Sequence, residues 1–172
     1  MAGAAHARSM EPENRLSPVA GMRVPALDLA VLHGGRIDAH TRRGRVVLVH
    51  FFATWCETCR PELDSLDRLA REDGARGLEV LAVSVAEVEG RLTRYFAGRP
   101  ASFPILLDCD RAAARAWGID ALPSTVVLGR DGRPRLAVRG DLDWRRADIR
   151  AALDILLAEE DGPAGPMKTG ER

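Results

Sequence analysis

The chain has 172 residues, 46% hydrophobic and 29% charged, with 25 Lys+Arg balanced by 25 Asp+Glu. That suits one soluble domain of about 150 residues, which buries roughly 68–70% of its unfolded surface and needs neither metal nor disulfide framework to fold. A formal net charge of +0 supplies no basic field for nucleic acid, no apolar run approaches the roughly 20 residues of a bilayer span, and 3 Cys are too few for a disulfide lattice.

Residues 1–21 mix Ala, Gly, Ser, Pro and charge without a period and read as a disordered tail, with no apolar stretch of a secretory signal. Residues 22–160 form the single domain, and 161–172 a second disordered tail. Residues 26–30 and 36–39 flank Gly34-Gly35 as a β-hairpin. Residues 46–52, Val-Val-Leu-Val-His-Phe-Phe, have the continuous apolar pattern of a strand covered on both faces. A helix over 60–73 carries Leu63, Leu66, Leu69 and Ala70 on one face, and Pro61 within it is expected to kink or restart it. A second buried strand at 78–85 completes a strand–helix–strand unit with a parallel crossover. A short helix at 91–98, a strand at 104–107 and an Ala-rich helix at 110–117 read as an insertion. Strands at 124–129 and 134–138, joined through Asp131-Gly132, are antiparallel neighbours. Asp143 is placed to cap a last helix striped by Ile149, Leu153, Leu156 and Leu157.

The chemistry concentrates in Trp55-Cys56-Glu57-Thr58-Cys59, which follows the first buried strand and opens a helix. Two cysteines three apart there can close a small disulfide ring. The helix N-terminus lowers the pKa of the first thiol, making Cys56 the nucleophile, and Cys59 can resolve a mixed disulfide by attacking Cys56. Half a zinc site is the competing reading, but no second ligand pair follows. Cys109, between Asp108 and Asp110, reads as a spare loop or core cysteine, because flanking acids disfavour its thiolate.

Residues 47–60 resemble the active-site strand and helix of the thioredoxin superfamily in its TlpA/ResA-like branch. Gly44-Arg45-Val46, Phe103 to Asp108, and Trp117 to Thr125 extend the resemblance over about residues 24–157. It implies an α/β thioredoxin fold, a mixed central sheet flanked by helices, with an N-terminal β-hairpin extension and a central αβ insertion. It further implies a cis peptide at Pro123 and a partner-binding surface of Trp55, Leu122 and Pro123. His50 falls where thioredoxins bury a carboxylate and can relay a proton to or from Cys59, against the plainer reading of a satisfied core histidine. Glu87 matches a glutamate near the active site in ResA-like members, either tuning protons there or sitting as a solvated loop acid. Thr58 stands where many relatives have proline, and Glu57 adds negative charge that Arg60 can offset.

The implied activity is thiol:disulfide exchange with cysteines of partner proteins, as a reductant of the cytochrome c maturation or copper-site kind, supplied by an upstream thiol donor at the membrane. The resemblance places it in the periplasm or another extracytoplasmic compartment, with the cytoplasm as the alternative in the absence of an evident signal. A monomer is expected, with the redox-active disulfide as its sole cofactor, no metal, no nucleic acid and no membrane span. A soft-metal copper chaperone using Cys56, Cys59 and His50 is the alternative from another class. A peroxiredoxin is disfavoured, because Val49 and Ala53 stand where that motif has Pro and Thr or Ser.

Overall fold

The computed structural model describes residues 14–159, so most of both expected tails lies outside the described residues. In chain order the elements are β1 (Ser17–Pro18), β2 (Asp28–Ala30), β3 (Arg36–Asp38), β4 (Val46–Phe52), α1 (Cys59–Asp73), β5 (Leu78–Val85), α2 (Glu89–Phe96), β6 (Ile105–Asp108), α3 (Ala112–Ala116), β7 (Ser124–Leu128), β8 (Pro134–Arg139) and α4 (Ala147–Ala158). Six strands form one mixed sheet in the order β1-β8-β7-β4-β5-β6, and β2-β3 is the separate hairpin. β4 runs parallel to β5 and antiparallel to β7, so it has hydrogen-bonded neighbours on both edges.

All seven residues of β4 are buried. Alternate side chains of a strand point to opposite faces, and the two apolar layers separate accordingly. Val46, Leu48 and Phe52 join α1 and α4 in a cluster with Leu63, Leu66, Leu153 and Leu157. Val47, Val49 and Phe51 join Leu27 of the hairpin region with Ala114 and Trp117 around α3. The parity assigns His50 to the α1 face.

Three local expectations are corrected. Ser17–Pro18, read as tail, pair with Ala137 and Leu136 and add an edge strand, because residues too few to bury a face can still satisfy a neighbour's backbone. Pro61 neither kinks nor restarts the helix: α1 begins at Cys59, so Pro61 lies in the first turn, where an intrahelical N–H is not needed. Asp143 does not cap α4. Its carboxylate is taken by the Arg145 amide at 3.0 Å and the Arg145 guanidinium at 2.8 and 2.9 Å, and α4 starts after Arg146 without a side-chain cap. A buried carboxylate elsewhere does cap a helix: Asp108 accepts from the amides of Ala113 and Ala114 at 3.0 and 2.8 Å, and the helix expected over 110–117 is thereby confined to α3.

At the other edge of the sheet, Val31 bridges Leu106 of β6, and the Leu32 amide donates to the Ile105 carbonyl at 2.8 Å. Arg130, after β7, ties three segments together. Its guanidinium donates to the carbonyls of Gly44, Arg76 and Leu157, joining the start of β4, the turn before β5 and the end of α4. Arg130→Ala should cost on the order of 2 kcal/mol, since charge-assisted bonds to two partly buried carbonyls and one exposed one are lost together. Urea unfolding measures it, and a midpoint equal to wild type would show that water replaces the clip.

Candidate active site

β4 ends at Phe52, and the chain turns through Ala53, Thr54 and Trp55 before α1. The Cys56 amide donates to the Ala53 carbonyl and the Cys59 amide to the Cys56 carbonyl, both at 3.2 Å, so the two cysteines are successive corners of one turn. Their Cα atoms are 5.3 Å apart and their sulfurs are joined in a disulfide. Cys59 is completely buried, Cys56 is 8% exposed at the rim, and the neighbouring Trp55 is 60% exposed. The N-cap Thr58 makes no side-chain cap bond, which leaves the first-turn amides of α1 uncapped. Its Oγ1 lies instead 3.5 Å from Cys56 Sγ.

The turn is held from below by Glu87, buried just after β5. Glu87 accepts from the Thr54 amide at 2.9 Å and from Ser84 Oγ at 2.8 Å, and also bonds Thr54 Oγ1. Arg91 Nε lies 3.2 Å from the same carboxylate. Glu87 is therefore not a solvated loop acid. Four groups of its surroundings occupy it, and it works as an anchor that sets the height of the Cys56 turn above β5.

Opposite, the Leu122–Pro123 peptide is cis. Ser124 pairs with Phe51 in the β4–β7 register, so Pro123 stands level with the end of β4, at the sheet edge from which the cysteine turn rises. The Pro123 carbonyl accepts from the Gly140 amide at 2.9 Å, and Leu122 packs partly buried against both core clusters.

His50 is buried beneath this turn. Its ring stacks on Phe52, and Nδ1 is 2.9 Å from Thr125 Oγ1, while Nε2 has no hydrogen-bond partner, so His50 is only half satisfied. Next to it is Glu62, one turn after Cys59 on the buried face of α1. Trp144 Nε1 donates to Glu62 Oε1 at 2.8 Å, and Oε2 is buried without a partner. Desolvation lowers the pKa of His50 to about 3. Desolvation raises that of Glu62 to about 8, with the Trp144 bond opposing. At neutral pH both groups are uncharged, and the 3.9 Å separation between His50 Nδ1 and Glu62 Oε1 is a contact of neutral groups rather than an ion pair.

The structure thus brings Trp55, Cys56, Cys59, Leu122 and Pro123 to one end of the sheet and sets His50 below them. Glu57 is exposed and does not pair with Arg60, whose guanidinium lies 5.7 Å over the Tyr95 ring. Cys109 is free and exposed. Sequence reasoning missed Glu62 and Trp144. A signal for Glu62 existed, since it continues the buried Leu66–Leu69 stripe of α1 toward the cysteines. Among the described residues no group of three or more His, Cys, Asp or Glu is arranged to hold a metal ion, and no helix is long and apolar enough to cross a membrane.

The AhpC/TSA family model matches residues 20–135, a span that takes in the hairpin, the cysteine turn and the cis-proline loop. The chain belongs to the AhpC/TSA family. Within it, this member is similar to the thiol-disulfide oxidoreductase ResA of Bacillus subtilis, at 28% identity over 71% of this chain and 68% of ResA. It is also similar to a crystal structure of a protein assigned as the thiol:disulfide interchange protein DsbE from Chlorobium tepidum, at 27% identity and a TM-score of 0.68, covering 78% of this chain and 93% of that one. A DsbF homologue from Corynebacterium diphtheriae shares the fold with a TM-score of 0.74 over 88% of this chain and 98% of its own, at 17% identity. With its Cys56–Cys59 pair, this AhpC/TSA member is a thiol-disulfide oxidoreductase of the ResA/DsbE type on a thioredoxin fold.

The buried pair sets a pH dependence of stability. Glu62, raised from 4.5 to about 8, contributes stability that is complete below pH 4.5 and is lost up to about 8. His50, lowered from 6.5 to about 3, contributes stability that is complete above 6.5 and is lost as pH falls toward 3. The two slopes cancel between 4.5 and 6.5, leaving a plateau with a decline on either side. Glu62→Gln should remove the decline between pH 6.5 and 8 in urea midpoints, and an unchanged alkaline slope would assign it to other groups.

Proposed function

We propose that Cys56 and Cys59 exchange with cysteines of partner proteins, with the dithiol as reductant. The observation that carries this is the asymmetry of the pair, with Cys56 at the rim beside exposed Trp55 and Cys59 fully enclosed. In the reducing direction the Cys56 thiolate attacks one sulfur of a partner disulfide, forming a mixed disulfide and expelling the partner's other thiolate. The Cys59 thiolate then attacks Cys56 Sγ, which re-forms the internal disulfide and releases the partner's second thiolate. Two electrons have passed to the partner, and its two sulfurs take up protons.

The second step needs Cys59, fully buried, to lose its proton where charge is poorly solvated, and the neutral His50 imidazole lies on the same face with Nε2 unpartnered. His50 relays that proton through Nε2 without keeping it, since burial holds its pKa at about 3, with Glu62 as its uncharged neighbour. Trp55, Leu122 and the Pro123 loop form the surface against which the partner chain lies. Glu57 adds negative charge at the rim, which opposes thiolate formation, while the uncapped α1 terminus favours it.

The names of its relatives support thiol-disulfide exchange; that it works outside the cytoplasm as a reductant of the cytochrome c maturation or copper-site kind, fed by an upstream thiol donor at the membrane, is what the resemblance of residues 47–60 to the TlpA/ResA-like branch implies. The disulfide itself is the only redox group such a monomer requires. Membership of the AhpC/TSA family does not bring peroxidase chemistry with it, since Val49 and Ala53 replace the Pro and Thr or Ser of the peroxidase motif.

Cys56→Ser should abolish turnover, and Cys59→Ser should accumulate a mixed disulfide with the partner on non-reducing gels. Equal residual activity in the two variants would sink the division of roles. Equilibration with dithiothreitol buffers should place the pair near or below about −270 mV, as for thioredoxin, whereas a value toward about −120 mV would reverse the direction of electron flow.

A further inference from the structure

A groove of about 540 Å³ runs along α1 on the side away from the cis-proline loop, lined by α1, the end of α2 and residues 99–103. Its lining begins at Arg60, the residue after Cys59, one position along α1 from the redox pair. Its floor is apolar: Leu63 and Phe103 are buried core members, with Tyr95 and Phe96 packed partly buried beside them. Tyr95 and Phe96 meet edge to face at 4.9 Å, and Phe96 contacts Phe52 at the end of β4. The floor is thereby braced against the strand that carries the cysteine turn.

The charges on its walls are unequal in their pairing. Both acids are occupied, Asp64 by Arg99, and Asp67 by Arg71 Nε at 2.8 Å and the Ser102 amide at 2.6 Å. Arg60 and Arg68, both exposed, have no carboxylate partner among the described residues; Arg60 spends its cation on the Tyr95 face. Two guanidinium groups without a carboxylate partner, Arg60 over the Tyr95 ring and Arg68 further along the wall, match carboxylates flanking an apolar side chain. Eight helical steps lead from one to the other, about 12 Å along the axis at roughly 1.5 Å each. An extended chain covers that distance in roughly three to four residues.

We propose that this groove binds an extended, acidic segment of the partner protein adjoining its reactive cysteine, with carboxylates three to four residues apart on Arg60 and Arg68 and an apolar residue between them on the aromatic floor. The proposal rests on the exchange reading and supplies the specificity that reading lacks. Trp55 and the Pro123 loop would then hold the chain on one side of the cysteine, and the groove would hold it on the other.

The test uses the full-length dithiol protein and cysteine peptides presented as mixed disulfides with glutathione. The peptides are identical except that two positions, three or four residues apart beyond the cysteine, are both Glu, both Gln or both Lys. Wild type should favour the Glu peptide over the Gln peptide roughly tenfold in kcat/KM, as two exposed charge pairs allow, with the Lys peptide slowest. The preference should shrink toward unity in about 0.5 M salt. Arg60→Gln/Arg68→Gln should abolish the ranking, and Arg60→Glu/Arg68→Glu should reverse it. Equal rates for the three peptides, or a ranking indifferent to the arginine substitutions, would overturn the groove while leaving exchange intact. Failure to reduce any peptide or glutathione disulfide itself would overturn the exchange reading, and this inference with it.

Discussion

β4 is hydrogen-bonded on both edges and covered on both faces, and the geometry of the redox site follows from that confinement. A strand so enclosed has no freedom of register, because a one-residue slip would exchange its two apolar layers. Its last residue therefore delivers the cysteine turn to one place, level with Pro123 across the β7 register. The same parity puts His50 on the α1 face, where Glu62 and Trp144 also point inward. Glu87 then adds one polar constraint from β5, so the turn is held by backbone on one side and by a carboxylate beneath.

Below the sulfurs the environment is polar in composition but uncharged in state. Desolvation removes the charge from both His50 and Glu62. A buried carboxylate left ionised would oppose a nearby thiolate through like charge, a repulsion that uncharged groups avoid. The orphaned Nε2 and Oε2 atoms are a standing cost that apolar packing would have avoided, as is common where a core is arranged for chemistry.

Much of this was legible in the residues. The enclosed strands at 46–52 and 78–85 announced themselves through continuous apolar runs, and the helix between them through its leucine stripe. The cysteine spacing pointed to exchange without help from the fold, while the cis peptide before Pro123 came only through resemblance. What escaped were roles assigned by three-dimensional company. Glu87 stood open between a proton-tuning group and a loop acid because Thr54, which it anchors, lies 33 positions away in sequence. Glu62 was hidden because an acid on a leucine stripe reads as its polar boundary until Trp144, 82 positions distant, is seen to donate to it. Asp143 had the right identity for a cap, but Arg145 outcompeted the helix for its oxygens. Ser17–Pro18 carry no periodic signal, since two residues cannot show one.

The short pieces at the two rims of the sheet have a consequence for life among unfolded chains. A bare sheet edge would invite an unpaired strand of another chain to add on. Here β8 is covered by a two-residue strand containing Pro18, which has no N–H to offer outward, and β6 is covered by Val31 and Leu32. Both rims are blunted, so neither offers another chain a long open edge on which to build a β-sheet aggregate.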